Sequence, residues 1–243
     1  LELCNGRVAA YRHRKAGRTL ALAQDGACFD VHGHAVKTPE THQGETWLAT
    51  LHTDGENVVG FPVAPLGMAV RRKISLPQRD WRLVLGKSDW TMDMHIPPGG
   101  NMTLEKCLES MREGTAFFQK YFADQPFASI TCSSWIFNTQ LEQILPPSAN
   151  LVLFQHELYL YPIPSAGQDG LVFIFGRHDA TPENSPRATS LQRAILDFMA
   201  AGNQWRGGGM FFLIEDLPVF GSQAYRAQWA KHYPDLVTDA VCG

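Results

Sequence analysis

The chain has 243 residues and a mass of 27.1 kDa, with 44% hydrophobic, 11% aromatic and 19% charged residues. That composition excludes disordered, collagen-like and low-complexity architectures, and the length suffices for one large core or two small ones. A formal charge of −3 does not suggest a nucleic-acid surface, and no apolar run reaches the length of a membrane span or forms a signal segment, so neither nucleic acid nor membrane is an expected partner.

The chain opens on Leu1 and not on Met, and a preceding segment is expected. Residues 1–88 read as rich in β-hairpins. Residues 18–23, Asp25-Gly26 and 27–34 give strand, turn and strand, and the pattern recurs at 46–52, Asp54-Gly55 and 58–63. Asp-Gly between alternating runs is a strong hairpin signal. Pro62, Pro65 and Gly67 break the chain before a short strand at 69–76. Residues 89–243 read as a second part with a different period. A strand at 90–96 precedes Pro97-Pro98-Gly99-Gly100-Asn101. Then Leu104, Leu108, Met111, Thr115, Phe118 and Phe122 recur at helical spacing, predicting a helix over 103–122 capped by Thr103. A strand follows at 127–132, then a short helix opened by the capping-box pattern Thr139-Gln-Leu-Glu142 and stopped by Pro146-Pro147. Strands are expected at 150–161, 171–175 and 210–214, and helices from the Thr189-Ser-Leu-Gln192 box to Gly202 and over 222–233. Strands alternating with helices after hairpins indicate an α/β (α+β mixed) fold with a mixed sheet flanked by helices.

Four places bring together residues that can do chemistry. At Asp93–Thr103 a strand end, the Gly99-Gly100 turn, Asn101 and a Thr103-capped helix converge; free backbone N–H groups and a positive helix end accept phosphate there. His95 at that strand's end is a candidate base, and the bland alternative is a plain strand-to-helix turn. Ser133, Ser134 and Trp135 end the next strand, where α/β sheets bind ligands, although the two serines lack the G-x-S-x-G elbow of a hydrolase. Arg177, Arg187, Arg193 and Arg206 can clamp an anion, with surface solvation as the default. Gln204–Gly209 matches a Q-x-x-G-x-G string by chance, since it precedes a strand and not a helix. Cys28, Asp30, His32 and His34 alternate on one strand face and include metal-ligand types, but a solvated hairpin face is the simpler reading and no metal is assigned. His156-Glu157 on the 150–161 strand is a further acid/base pair or an ordinary polar step. Five cysteines (4, 28, 107, 132 and 242), odd in number and without C-x-x-C spacing, favour a reducing, cytoplasmic setting.

The element order from the 90–96 strand onward resembles the cofactor-binding half of the GNAT-type N-acyltransferase fold. Val63-Ala-Pro-Leu-Gly67, Ser75-Leu-Pro-x-x-x-Trp81, Met94-His-Ile-Pro-Pro-Gly-Gly100, Ser134-Trp-Ile-Phe-Asn-Thr-Gln-Leu141, Leu145-Pro-Pro-Ser-x-Asn150 and Thr189-Ser-Leu-Gln-Arg193 resemble a family of bacterial acyltransferase-domain proteins. Its members join an acyltransferase-like N-terminal part to a GNAT-like C-terminal domain. The resemblance implies acyl transfer from an acyl-CoA cosubstrate, acetyl-CoA first, to an unknown acceptor, an amine by preference. It places the pyrophosphate at Gly99, Gly100, Asn101 and Thr103, with Trp135 and Arg193 as further cofactor contacts. The thioester lies between His95 and Cys132, with backbone N–H groups holding its oxygen. His95 is the first choice of base, with His156 or Glu157 behind it. Ser133 stands where relatives carry histidine, and the R/Q-x-x-G-x-G/A loop is missing, so a catalytically degenerate ligand- or protein-binding module is the alternative.

Overall fold

The computed structural model describes residues 1–236 other than 5 and 98–100, so Gly99, Gly100 and Cys242 lie outside the described residues. In chain order the first part holds β1 (Glu2–Leu3), β2 (Val8–His13), β3 (Thr19–Ala23), β4 (Cys28–Asp30), β5 (Thr46–Leu48) and β6 (Leu51–Asp54). It continues with β7 (Asn57–Gly60), β8 (Pro62–Ala64), β9 (Met68–Ala69), β10 (Ile74–Pro77) and β11 (Trp81–Leu85). The mixed part follows with β12 (Trp90–Asp93), α1 (Leu104–Tyr121), β13 (Ser129–Ser134), α2 (Leu141–Ile144) and α3 (Asn150–Glu157). β14 (Tyr159–Pro162), α4 (Leu171–Phe175), α5 (Ser190–Ala200), β15 (Gly208–Leu213) and α6 (Ala224–His232) complete it. The fold is mixed α/β, as expected.

The sheet that matters for function has the order β1-β12-β13-β15-β14. β12 and β13 run parallel, joined by α1, and the other neighbours are antiparallel. A parallel pair needs such a crossover, and its helix covers one face of the sheet. β15 is all buried and slots between β13 and β14. The preceding hairpins form an antiparallel sheet of order β11-β2-β3-β8-β9, beside the smaller sheets β10-β7-β6 and β4-β5.

Long-range polar contacts join residues on either side of position 89. Tyr159 donates its hydroxyl proton to the Val63 carbonyl at 2.6 Å and accepts from the Ala21 N–H at 3.0 Å. Arg12 on β2 holds Asp216 through two hydrogen bonds of 2.8 Å, and the Tyr225 hydroxyl donates to the same carboxylate at 2.8 Å. β1 pairs with β12, and the family of buried apolar side chains runs from Val8 through Phe29 and Ile130 to Phe212.

The structure differs from the periodicity reading at several elements. Residues 150–157 form α3 and only 159–162 form a strand. The apolar run Leu151–Phe154 has no alternation, so period alone does not separate helix from strand; here Val152, Phe154 and Gln155 turn inward at helical spacing. Residues 171–175 are likewise the single-turn helix α4, closed by the Gly176 N–H on the Val172 carbonyl. Asp25-Gly26 does form a turn, with Gly26 at φ 76°, but β3 and β4 do not pair: β3 joins β2 and β8, and β4 joins β5. In the β6–β7 hairpin the register Asp54↔Asn57 makes Gly55-Glu56 the central pair, one residue later than expected. The Thr189 capping box forms in full, whereas α2 starts from Gln140 without a side-chain cap.

Candidate active site

α1 follows from its sequence. Thr103 accepts from the Lys106 N–H, Glu105 lies in the first turn and Lys120 in the last, complementing the helix dipole. Met111 and Thr115 face inward. β12 pairs with β13 only at Met92↔Ile130 and Asp93↔Thr131, with a further bond from the Met94 N–H to the Thr131 carbonyl at 2.9 Å. β13 then continues through Cys132 to Ser134 against β15 alone. Below, the buried Thr131 hydroxyl donates to Thr91 at 2.9 Å and locks the two strands. A cleft of about 340 Å³ lies between the end of β12, one face of α1 and Phe154 of α3; no described residue of β13 lines it, so Cys132 does not face His95 across it as expected.

His95 lines the cleft, and its side chain is 91% exposed. Its Nε2 lies 2.9 Å from Asp93 Oδ2, so Asp93 accepts the Nε2 proton in the neutral tautomer and Nδ1 keeps its lone pair. Asn101 also lines the cleft, and its carbonyl accepts from Asn150 Nδ2 at 3.2 Å. Lys106 joins them at the start of the helix. Asp93 as partner of His95 and Lys106 are additions from the structure, and both have a signal in the sequence, the Asp93-x-His95 spacing and the N3 position of Lys106.

The structure does not bring the other candidates to this cleft. Ser133 is exposed on β13, and Ser134 accepts from the Ile136 N–H at the head of a 3-10 turn. Trp135 is half-buried against Gly170, where a Cβ would meet its ring at 2.0 Å. His156 and Glu157 sit at the end of α3, not on a strand. His156 Nε2 lies 2.9 Å from Glu142, which Arg226 also grips, so this cluster ties α2, α3 and α6 together. Glu157 is 3% exposed and accepts from the N–H groups of Gly221 and Gln223, at 2.7 and 3.1 Å, fixing the entry into α6. Arg193 donates to the carbonyls of Arg187 and Ala188, both at 2.9 Å, and holds the approach to α5. Arg177 forks onto Asp179, and Arg187 pairs with Asp197.

The cysteines near the cleft are quiet. Burial pushes the Cys132 thiol up to about 12, with Asp93 and Glu2 adding to it, and burial takes Cys107 to about 11. Neither is a thiolate nucleophile at neutral pH.

Cys28, Asp30, His32 and His34 do not share one strand face, because β4 ends at Asp30 and Gly33, at φ 77°, turns the chain. Gly33 is required there also by space, since a Cβ would meet the Ala69 carbonyl at 2.0 Å. Among the described residues no group of three or more His, Cys, Asp or Glu is placed to hold a metal. Asp30 instead accepts from the N–H groups of His32 and His34, at 3.0 and 2.9 Å, with His34 Nδ1 at 3.2 Å and Arg206 at 3.7 Å. Burial acts to raise this carboxyl, but the His34 bonds and the Arg206 charge outweigh it and hold it at about 2. Its folded value therefore lies below the unfolded one. The stability it contributes is present in full above about pH 4 and is lost as pH falls toward 2. Asp30→Asn is expected to cost about 2 kcal/mol at pH 7 and about half that at pH 3. Urea titrations at the two pH values check this, and an equal cost at both would assign the effect to packing.

Among the described residues no helix is long and apolar enough to cross a membrane. No curated protein matches the chain. Among solved structures it is similar to an acyltransferase mutant in complex with octanoyl-CoA (21% identity, TM-score 0.43, covering 65% of this chain and 47% of that one). It is similar also to an acyltransferase in complex with decanoyl-CoA and teicoplanin (22%, 0.44, 68% and 46%). A third is an acyltransferase in complex with decanoyl-CoA (19%, 0.44, 67% and 45%). The chain spans less than half the length of these three structures. Residues 29–212, well over half of the chain and on both sides of position 89, match the GNAT-like C-terminal domain, and the chain belongs to that family.

Proposed function

We propose that the protein is an acyl-CoA-dependent N-acyltransferase, with the cleft between β12, α1 and α3 as its donor site. The observation that carries this reading is the parallel β12–α1–β13 unit, in which the ladder ends beside His95 and the cleft begins. The N-terminal end of α1, with its first-turn N–H groups and Lys106, meets the pyrophosphate of CoA. The thioester lies beside the Asp93–His95 pair. The acceptor amine attacks the thioester carbon, His95 Nδ1 takes the amine proton, the C–S bond breaks, and the imidazolium passes that same proton to the departing CoA thiolate, which restores neutral His95. Asp93 is the positioning residue that presents Nδ1. With Cys132 held as a thiol, transfer is direct from donor to acceptor and passes through no acyl-enzyme. His156 and Glu157, each engaged elsewhere, have no part in the step. The cleft is carried by residues 92–154, and residues 1–88 serve as the platform against which that part packs. Among the described residues Cys4, Cys28, Cys107 and Cys132 are free thiols, which suits a reducing cytoplasm.

Thermal unfolding in the presence of CoA thioesters tests the donor site. A thioester at about a hundred times its dissociation constant adds about 2.7 kcal/mol and raises the midpoint by roughly 5–10 °C. No shift with acetyl-CoA or with any longer acyl-CoA would refute the reading.

A further inference from the structure

We propose that the narrow pocket walled by Arg206, His34 and Thr139 is a binding site for a carboxylate, separate from the cleft beside α1. Its wall takes His34 and Gly67 from the first part of the chain, and residues 137–139, 161–163 and 206–208 from the mixed part. No residue lines both sites, and the inference stands whether or not the donor-site reading does.

Among the described residues the most buried of the ion-paired arginines are Arg226, Arg12 and Arg206, with side chains 13, 16 and 18% exposed. The first two each hold a carboxylate. Arg226 forks onto Glu142 at 3.0 and 3.1 Å, and Arg12 onto Asp216 at 2.8 Å. The third has no such partner: Arg206 reaches only Asp30, at 3.7 Å, beyond hydrogen-bond length. Asp30 does not close that gap, because its oxygens already accept from the N–H groups of His32 and His34 and face His34 Nδ1. Asp169, the other carboxylate whose charge reaches Arg206, is engaged by the Ser165 hydroxyl. Burial accordingly draws the Arg206 guanidinium down from its ordinary value by more than Asp30 and Asp169 raise it. A guanidinium stays charged in a protein, and a buried cation with unfilled donors is costly to keep. A ligand carboxylate supplies the fork that Arg12 and Arg226 find within the chain.

Local structure fixes Arg206 at the wall. Gly208 opens β15 against the Phe137 carbonyl, which a Cβ would meet at 2.0 Å, and Gly209 lies on the Tyr161 ring, at 2.2 Å from a Cβ. Only glycine permits that approach. The glycine run after Arg206 thus serves close packing of β15 and brings the arginine into the pocket.

The pocket also selects the anion. Its volume of about 20 Å³ admits one or two oxygen-sized centres and not the four oxygens of a phosphate. Asp30 and Asp169 repel a dianion more than a monoanion. The planar guanidinium matches the two oxygens of a carboxylate, and the Thr139 hydroxyl on the same wall is a further donor.

The test follows the Arg206 Nε–H signal of the whole protein by NMR as sodium acetate, acetamide or inorganic phosphate is added at constant ionic strength. Arg206→Lys, which lacks that group, identifies the signal. Acetate is expected to shift it saturably, with a dissociation constant of about a millimolar for so small a ligand. Acetamide, of the same shape but uncharged, leaves it in place. In Arg206→Gln the acetate-induced shifts at the Gly207 and Gly208 amides are lost. In Arg206→Lys, a point charge without the fork, the affinity falls about tenfold. The glutamine variant unfolds within about 2 °C of the unmodified protein, because it removes a buried cation and no hydrogen bond. No saturable shift with acetate, or an equal shift with acetamide, would overturn the proposal. Tighter binding of phosphate than of acetate would overturn the choice of a carboxylate. A midpoint lowered by roughly 10 °C in Arg206→Gln would make Arg206 the structural partner of Asp30 and would overturn the site as well.

Discussion

His95→Ala is expected to lower turnover about a hundredfold, with the Michaelis constant for the acyl-CoA little changed. A positioned general base contributes 10²–10⁴-fold, and an interaction made only while the proton moves appears in kcat and not in donor binding. The prediction is clean because His95 is nearly fully exposed and its one described partner is Asp93 at 2.9 Å. Losing it removes no core contact, and the unfolding midpoint stays within the small range of surface substitutions. Asp93→Asn separates positioning from catalysis. The amide retains an oxygen that accepts the Nε2 proton but not the charge that steadies the imidazolium, so about a tenfold loss is expected, again in kcat. A decrease smaller than tenfold for His95→Ala would remove it from the role of base. Since His156 and Glu157 are held by Glu142 and by the α6 entry, the assignment would then pass to a group of the substrate or to solvent.

The second large effect concerns stability. Asp216→Ala is expected to cost about 3–5 kcal/mol and to lower the unfolding midpoint by roughly 10 °C. Asp216 is 6% exposed, accepts both arms of Arg12 at 2.8 Å and receives the Tyr225 hydroxyl. Burial alone works against the Arg12 charge, but Asp216 and Glu215 more than compensate and hold its guanidinium firmly protonated. Truncating the carboxylate leaves Arg12 with only the half-exposed Glu215, at 3.3 Å, and leaves the buried Tyr225 hydroxyl without its acceptor, so most of the penalty of breaking a buried ion pair is incurred. Arg12 lies on β2 and Tyr225 on α6, so the variant also loosens the contact between the hairpin sheet and the last helix. Calorimetry and urea unfolding measure the cost. A loss below about 1 kcal/mol would show that water replaces the carboxylate and that this junction does not hold the two sheets together.

Much of the fold was readable before any coordinates. The 3-to-4-residue spacing from Leu104 to Phe118 delimits α1 to within a residue, with Thr103 as its cap. The Thr189-x-x-Gln192 box appears with both of its hydrogen bonds. These signals are local: they depend on side-chain directions and donors a turn apart, and the sequence states them directly. The strand expected over 90–96 ends earlier, at Asp93, so His95 lies two residues beyond β12 and not within it.

What the order of residues by itself determined, then, is the mixed α/β character, the cap and span of α1, the α5 box and the family resemblance its motifs carry. The tertiary structure alone decided which strands meet and which polar groups remain free. Asp25-Gly26 turns the chain as expected, yet β3 pairs with β8 and β4 with β5, because buried faces some forty residues apart compete for the same edge. Glu157 reads as a candidate acid until the loop before α6, more than sixty residues away, brings two N–H groups to it. The apolar runs of α3 and α4 fit helix or strand equally well, and burial against β14, α2 and α5 chooses between them. The cleft itself belongs to this second class: it is walled by the end of β12, by α1 and by Phe154 of α3, a relation among distant segments that no local pattern encodes.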